Sequence, residues 1–74
     1  MKELETVVLR RSLPESGLER GDVGAIVHAH PGNLYEVEFV SGDGATLAVL
    51  TLSAEDLRPI EAGEILHVRA VAHH

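Results

Sequence analysis

No window of this chain keeps a helical spacing of apolar residues for more than about one turn, because Gly, Pro and Asn interrupt it every few residues. Short strands are what remain. Residues 6 to 11 (Thr-Val-Val-Leu-Arg-Arg) read as the first, and residues 13 to 22, with one Pro and two Gly, as a long loop from which Leu18 packs back onto the core. Residues 23 to 30 form the second strand, ended by Pro31, Gly32 and Asn33. The third, 34 to 40, alternates clearly, with Tyr35, Val37 and Phe39 on one face and Glu36 and Glu38 on the other. A tight hairpin at Ser41 to Gly44 leads into the fourth strand, 45 to 52, which is apolar on both faces. Residues 53 to 57 read as one helical turn, because Ser53 can cap it and Asp56 lies three residues on. After an extended Arg58-Pro59-Ile60, residues 64 to 71 read as a last strand with Leu66, Val68 and Ala70 on one face.

That order predicts an all-β chain: a small SH3-like barrel of five strands with one 3₁₀-like turn over residues 1–60, and an added C-terminal strand and tail over 61–74. Closure suits the length. A chain of 74 residues buries only about 60% of the surface its unfolded form exposes, so open sheet edges are a cost it is expected to avoid. With 45% hydrophobic but only 3% aromatic residues, the core must be built from Val, Leu, Ile and Ala.

The run Gly17-Leu18-Glu19-Arg20-Gly21-Asp22-Val23-Gly24-Ala25-Ile26-Val27 is followed by Tyr35-Glu36-Val37-Glu38-Phe39-Val40, Leu50-Thr51-Leu52 and Glu55-Asp56-Leu57-Arg58-Pro59. Together these blocks resemble an uncharacterised bacterial family of stand-alone domains of roughly 60 residues, the likeness covering residues 4–60. The resemblance implies an SH3-like barrel and no particular activity. The Gly21 to Val27 block also resembles the Kyrpides-Ouzounis-Woese ribosomal motif, and small accessory subunits of photosynthetic electron-transfer complexes that dock on larger proteins. A glycine beside a β-branched strand is also what any tight barrel requires.

Charge narrows the function classes. Residues 1 to 20 hold Lys2, Arg10, Arg11 and Arg20 against Glu3, Glu5, Glu15 and Glu19, and residues 58 to 74 hold Arg58 and Arg69 against Glu61 and Glu64. The net charge of −6 therefore comes from Asp22, Glu36, Glu38, Asp43, Glu55 and Asp56, in a segment without Lys or Arg. Phosphate binding needs the opposite, so nucleic acid is disfavoured as a partner, with Arg10, Arg11 and Arg20 the only footprint for a ribosomal-motif-like RNA binder. Tyr35 and Phe39, both assigned to the core, leave no aromatic groove for proline-rich peptides and no stacking platform for bases. No nucleophile or carboxylate-pair arrangement stands out, and a barrel this small is filled by its own side chains, so the chain is expected not to be an enzyme and to need no cofactor or small-molecule substrate. The acidic N-terminal residues, the short apolar runs and the absence of Cys fit a cytoplasmic protein with no membrane association.

Two patterns remain. His28 and His30, two apart on a strand, project to one face and are the candidate ligands of a metal-binding alternative, with His67 or an acid as a third; solvent-facing histidines flanking a turn are the plainer explanation. His73 and His74 are given no weight. The stronger pattern is excess apolar surface, since Leu47 and Val49 on the fourth strand and Ile65 and Val71 on the last need cover, from the tail itself or from another subunit. The expectation is a non-catalytic adaptor, an accessory, regulatory or toxin-neutralising module. It binds a protein partner or a second copy through Glu36, Glu38 and Asp43 with Ile65, His67 and Val71 beside them.

Overall fold

A computed structural model describes residues 1–71 of the chain. Alternating side chains on short runs produce five strands: β1 (Thr6–Leu9), β2 (Val23–His30), β3 (Leu34–Val40), β4 (Thr46–Ser53) and β5 (Leu57–Pro59). Two 3₁₀ turns, Pro14–Ser16 and Ala54–Asp56, are the only helical pieces among the described residues. All strands pair antiparallel in one sheet of order β4-β3-β2-β1-β5, so β4 and β5 are its two edges.

The period-2 pattern sets the register. Tyr35, Val37 and Phe39 face Leu52, Leu50 and Ala48 across the β3–β4 ladder, and Ile26 on β2 is opposite Val37. These inner residues join Val7, Leu9 and Leu57 in one core, which Leu18 closes from the β1–β2 loop, as expected. At Gly24 the core tolerates no side chain. A Cβ there would stand 2.8 Å from both Phe39 Cε1 and Val37 Cγ1 and 3.0 Å from the Glu38 carbonyl oxygen, so the glycine in the motif-like block is explained by packing of β2 against β3.

Two irregularities matter for the outer face. Between Ile26 and His28 the register shifts, which brings His28 opposite Glu36 and His30 opposite Leu34, so both histidines face outward. A second shift beyond Phe39 pairs Val40 with Thr46, ahead of a hairpin closed by Ser41 N–H to Ala45 O and Gly44 N–H to Ser41 O, both 2.9 Å. Gly44 supplies the φ of +85° this turn needs.

Besides a one-residue shift of β4, which runs Thr46–Ser53 rather than 45 to 52, and a 3₁₀ turn at Pro14–Ser16 within the loop, three larger features differ from the sequence reading. β1 stops at Leu9: Arg10 N–H still meets the Asp56 carbonyl (2.8 Å) in the register of the β1–β5 pairing, but Asp56 belongs to the 3₁₀ turn, so the partner strand ends there, and Arg11 Nε donates to Asp56 Oδ1 (2.6 Å). The helical turn is shorter than 53 to 57: Ser53 directs its N–H (3.2 Å) and hydroxyl (3.3 Å) to Asp56 Oδ2, and Leu57 already belongs to β5. The third difference is the largest: residues 64 to 71 form no strand. Side chains hold this tail instead of a ladder. Arg58 grips both oxygens of Glu64 at 2.6 Å, and Arg69 grips Asp22 through Nε (2.8 Å) and Nη2 (2.5 Å). The two anchor points flank Val8 and Val23, which are neighbours on the outer side of β1 and β2, and Val8 is buried there.

Candidate functional site

The outer face of β3 carries Glu36 and Glu38, and β4 supplies each with a hydroxyl donor. Thr51 donates to Glu36 Oε1 (2.5 Å) and Thr46 to Glu38 Oε2 (2.7 Å). His30 Nε2 stands 3.4 Å from the same oxygen of Glu36, His28 Nδ1 is 3.2 Å from Glu3 Oε1, and the two imidazole rings meet edge to face with centroids 4.5 Å apart. The Thr51 hydrogen bond, with the desolvation cost opposing it and the nearby histidines assisting, holds the Glu36 carboxyl below its ordinary value. Glu36 therefore presents a full negative charge at neutral pH.

The structure brings together only some of the residues singled out in the sequence. Glu36, His28 and His30 share one patch, with Glu38 next along the strand. Asp43 lies in the β3–β4 hairpin and is turned on its own loop, accepting the Ser41 hydroxyl and the Ala45 N–H (3.2 Å); the Ser41 bond lowers its pKa most. Ile65, His67 and Val71 are in the tail, away from this acidic row. His67 and Val71 line an open groove of about 460 Å³ with Val40 and Leu47 from the hairpin ends of β3 and β4, while Ile65 is 90% exposed and outside that groove. His28 and His30 lie together, but among the described residues no group of three or more His, Cys, Asp or Glu side chains is placed to hold one metal ion. His73 and His74 lie outside the described residues.

Pairing across the fold redraws the charge pattern. Asp22 and Asp56 belong to the segment without bases, yet Arg69 neutralises the first and Arg11 the second, and each carboxyl is held below its ordinary value chiefly by that guanidinium. The acids of that segment with no arginine or lysine ion pair among the described residues are then Glu36, Glu38, Asp43 and Glu55. Arg11, part of the RNA footprint, is already engaged by Asp56.

Sequence reasoning missed Glu3, Thr46 and Thr51 as partners of the outer row, and Asp22 and Glu64 as anchors of the tail. Thr51 was legible in principle, since it shares the outward parity of Leu47 and Val49 on a strand next to Glu36 and Glu38; Thr46 was not, because it reaches Glu38 only through the register shift beyond Phe39. The tail anchors were not, because Arg69 and Asp22 are 47 positions apart.

Below Ser53, the edge of β4 is free. Ala54 N–H bonds the Asn33 carbonyl (3.0 Å), and antiparallel alternation from that point directs Leu52, Leu50 and Ala48 toward β3 and Val49 and Thr51 toward the open side. No backbone bond from another element reaches Val49 or Thr51 among the described residues. Leu13 and Pro14 of the β1–β2 loop stand across a cleft of about 360 Å³ from Leu50, Thr51 and Leu52. β4 is eight residues long and carries no charge and no proline, the features that usually blunt an edge.

An antiparallel all-β sheet with an acidic outer row, an open edge and an apolar tail thus defines the class. The family model described as Domain of unknown function (DUF4926) matches residues 3–59, and the chain belongs to that family. The match covers nearly the stretch on which the resemblance rested and ends at Pro59, before the tail. Comparison with curated proteins and with solved structures found no match. No helix of the described residues is long and apolar enough to cross a membrane.

Proposed function

We propose that this chain is a non-catalytic protein-interaction module of the bacterial cytoplasm, whose sheet curls as an SH3-like barrel. The barrel reading is supported by the strand order β4-β3-β2-β1-β5, by the 3₁₀ turn directly before β5, and by a single core to which all five strands contribute. A reducing compartment suits a chain without cysteine.

One observation carries the interaction reading. The tail is pinned at Glu64 and Arg69, yet between and beside these pins Ile65 is 90%, Leu66 65% and Val68 91% exposed. A segment anchored by two bidentate ion pairs while displaying three large apolar side chains is organised for contact with another molecule. The docking surface comprises the tail around Ile65, His67 and Val71 and the acidic row of Glu36 and Glu38, with Asp43 at its end. The RNA reading has less support, because Arg11 is committed to Asp56 and four acids of the central segment face outward uncompensated. The metal reading rests on the His28–His30 pair alone.

A tagged pull-down from the native host with mass spectrometry tests the reading. Recovery of one stoichiometric protein by the full chain, and its loss on replacing Ile65, Leu66 and Val68 by serine, is the expected result. Recovery of ribosomal RNA, or of nothing by either form, would contradict it.

A further inference from the structure

The open edge of β4 has a chemistry of its own. Val49 and Thr51 present both N–H and C=O groups that no element among the described residues uses, and such a row is matched by an extended backbone. The side-chain pattern then states what that segment carries. Outward from β3, the rows read Glu38 then Val49, and Glu36 then Thr51. A residue added opposite Val49 would lie two strand spacings, about 9.6 Å, from Glu38. A Lys or Arg side chain spans that gap by laying its stem over Val49, which is 50% exposed, and placing its charge at Glu38. The next outward residue of the added strand repeats this over Thr51 toward Glu36. The residue between them points to the other face, toward the cleft, where Leu13, Pro14, Leu50 and Leu52 offer apolar contact beside the polar Arg11, Glu15 and Ser16.

We infer that the β4 edge takes an extended segment of a partner protein in which basic residues alternate with apolar ones, the basic residues reaching Glu36 and Glu38 and the apolar residue entering the cleft beside Leu13. This rests on the interaction reading above and names the partner's chemistry. A second copy pairing through its own β4 edge is less well matched, because that strand carries no basic residue to place beside Glu36 and Glu38. Residues 21 to 57 contain no Lys or Arg, and the one basic residue lining the cleft, Arg11, is paired with Asp56.

The test uses the full chain and a synthetic peptide alternating lysine and valine over the length of β4, beside a peptide of the same composition with lysines and valines in separate blocks and one alternating glutamate and valine. Binding is read by fluorescence anisotropy, and the bound site by amide hydrogen exchange in NMR spectra. The alternating lysine peptide should bind, protect the amides of Val49 and Thr51, and weaken about tenfold when Glu36→Gln and Glu38→Gln are combined; both positions lie outside the core, so the fold should be retained. Equal binding by the blocked peptide, unchanged binding by the double variant, or protection confined to the tail would overturn the β4 assignment. Protection confined to the tail would still leave the interaction reading standing. A light-scattering mass of two chains, with Val49 and Thr51 protected before any peptide is added, would show that the second copy is the occupant and would overturn the inference. Absence of binding by every peptide would overturn it as well, and the pull-down then decides the broader reading separately.

Discussion

Gly24 shows how a single position can resemble a functional motif and yet be fixed by packing. Phe39 and Val37 on β3 close to 2.8 Å of where its Cβ would be, so Gly24→Ala forces the two side chains or the strands apart. The expected cost is about 1–3 kcal/mol, and the melting temperature should fall by about 4–8 °C for each kcal/mol in a domain of this size. Gly42→Ala is the natural control, because nothing stands within 4 Å of its Cβ position and its φ is ordinary; its effect should stay within about 0.5 kcal/mol. A melting temperature unchanged in Gly24→Ala would mean that β2 and β3 are not as close as described. Arg69 has the opposite character. Its guanidinium bridges Asp22, Glu19 and the Gly17 carbonyl, and none of these belongs to the core. Arg69→Ala should raise amide exchange through residues 65 to 71 and leave the exchange of Val7, Ile26 and Val37 as it was, a separation that NMR would show directly.

Among the elements, β2, β3 and β4 were legible in the sequence because each carries its own signal: Gly or Pro at both ends of β2 and β3, alternation along β3, and for β4 an apolar run between Gly44 and the Ser53 cap. Glu36 and Glu38 could be assigned to the outer face from Tyr35, Val37 and Phe39 alone. The ends were not legible, and the reason is physical. Arg10 and Arg11 extend the pattern of β1, but the partner strand runs out first: Asp56, opposite Arg10, already belongs to the 3₁₀ turn, and its carboxylate takes Arg11, 45 positions away. The tail has the alternation of a strand in Leu66, Val68 and Ala70, but a strand needs a partner edge, and the tail is tied by Arg58 and Arg69 to the side of the sheet where Val8 already lies buried. Pattern gives a segment's preference; the partner that satisfies it is a property of the whole fold. Since the last core residue is Leu57, a chain ending at Ile60 should still unfold cooperatively. Loss of the cooperative transition would show that the tail is a structural part of the sheet.

At the scale of the molecule, the acidic excess divides into charges that hold the chain together and charges left outward. Glu64 belongs to the first kind: its hydrogen bonds to Arg58, helped by the Glu61 N–H, bring its pKa from 4.5 to about 2. Asp22 is likewise lowered, chiefly by Arg69. A folded-state pKa below the unfolded one stabilises the ionised form, so the tail's attachment is complete above pH 4.5 and is lost as the pH falls toward about 2. An acid titration followed by methyl shifts of Ile65 and Val68 should therefore show the tail leaving in that window, with the shifts of Val7 and Val37 following later or not at all. Tail shifts that move only near neutral pH would contradict the anchoring by carboxylates. Glu36 and Glu38 are charges of the second kind, and the acidic row, the free edge of β4 and the exposed tail are the surfaces the fold leaves unpaired among the described residues. Hydrogen exchange measured on the protein alone and with its captured partner tests that most directly. Protection is predicted at Val49, Thr51 and residues 65 to 71; protection confined to Arg10, Arg11 and Arg20, or no change anywhere on β4 and the tail, would contradict docking at these surfaces.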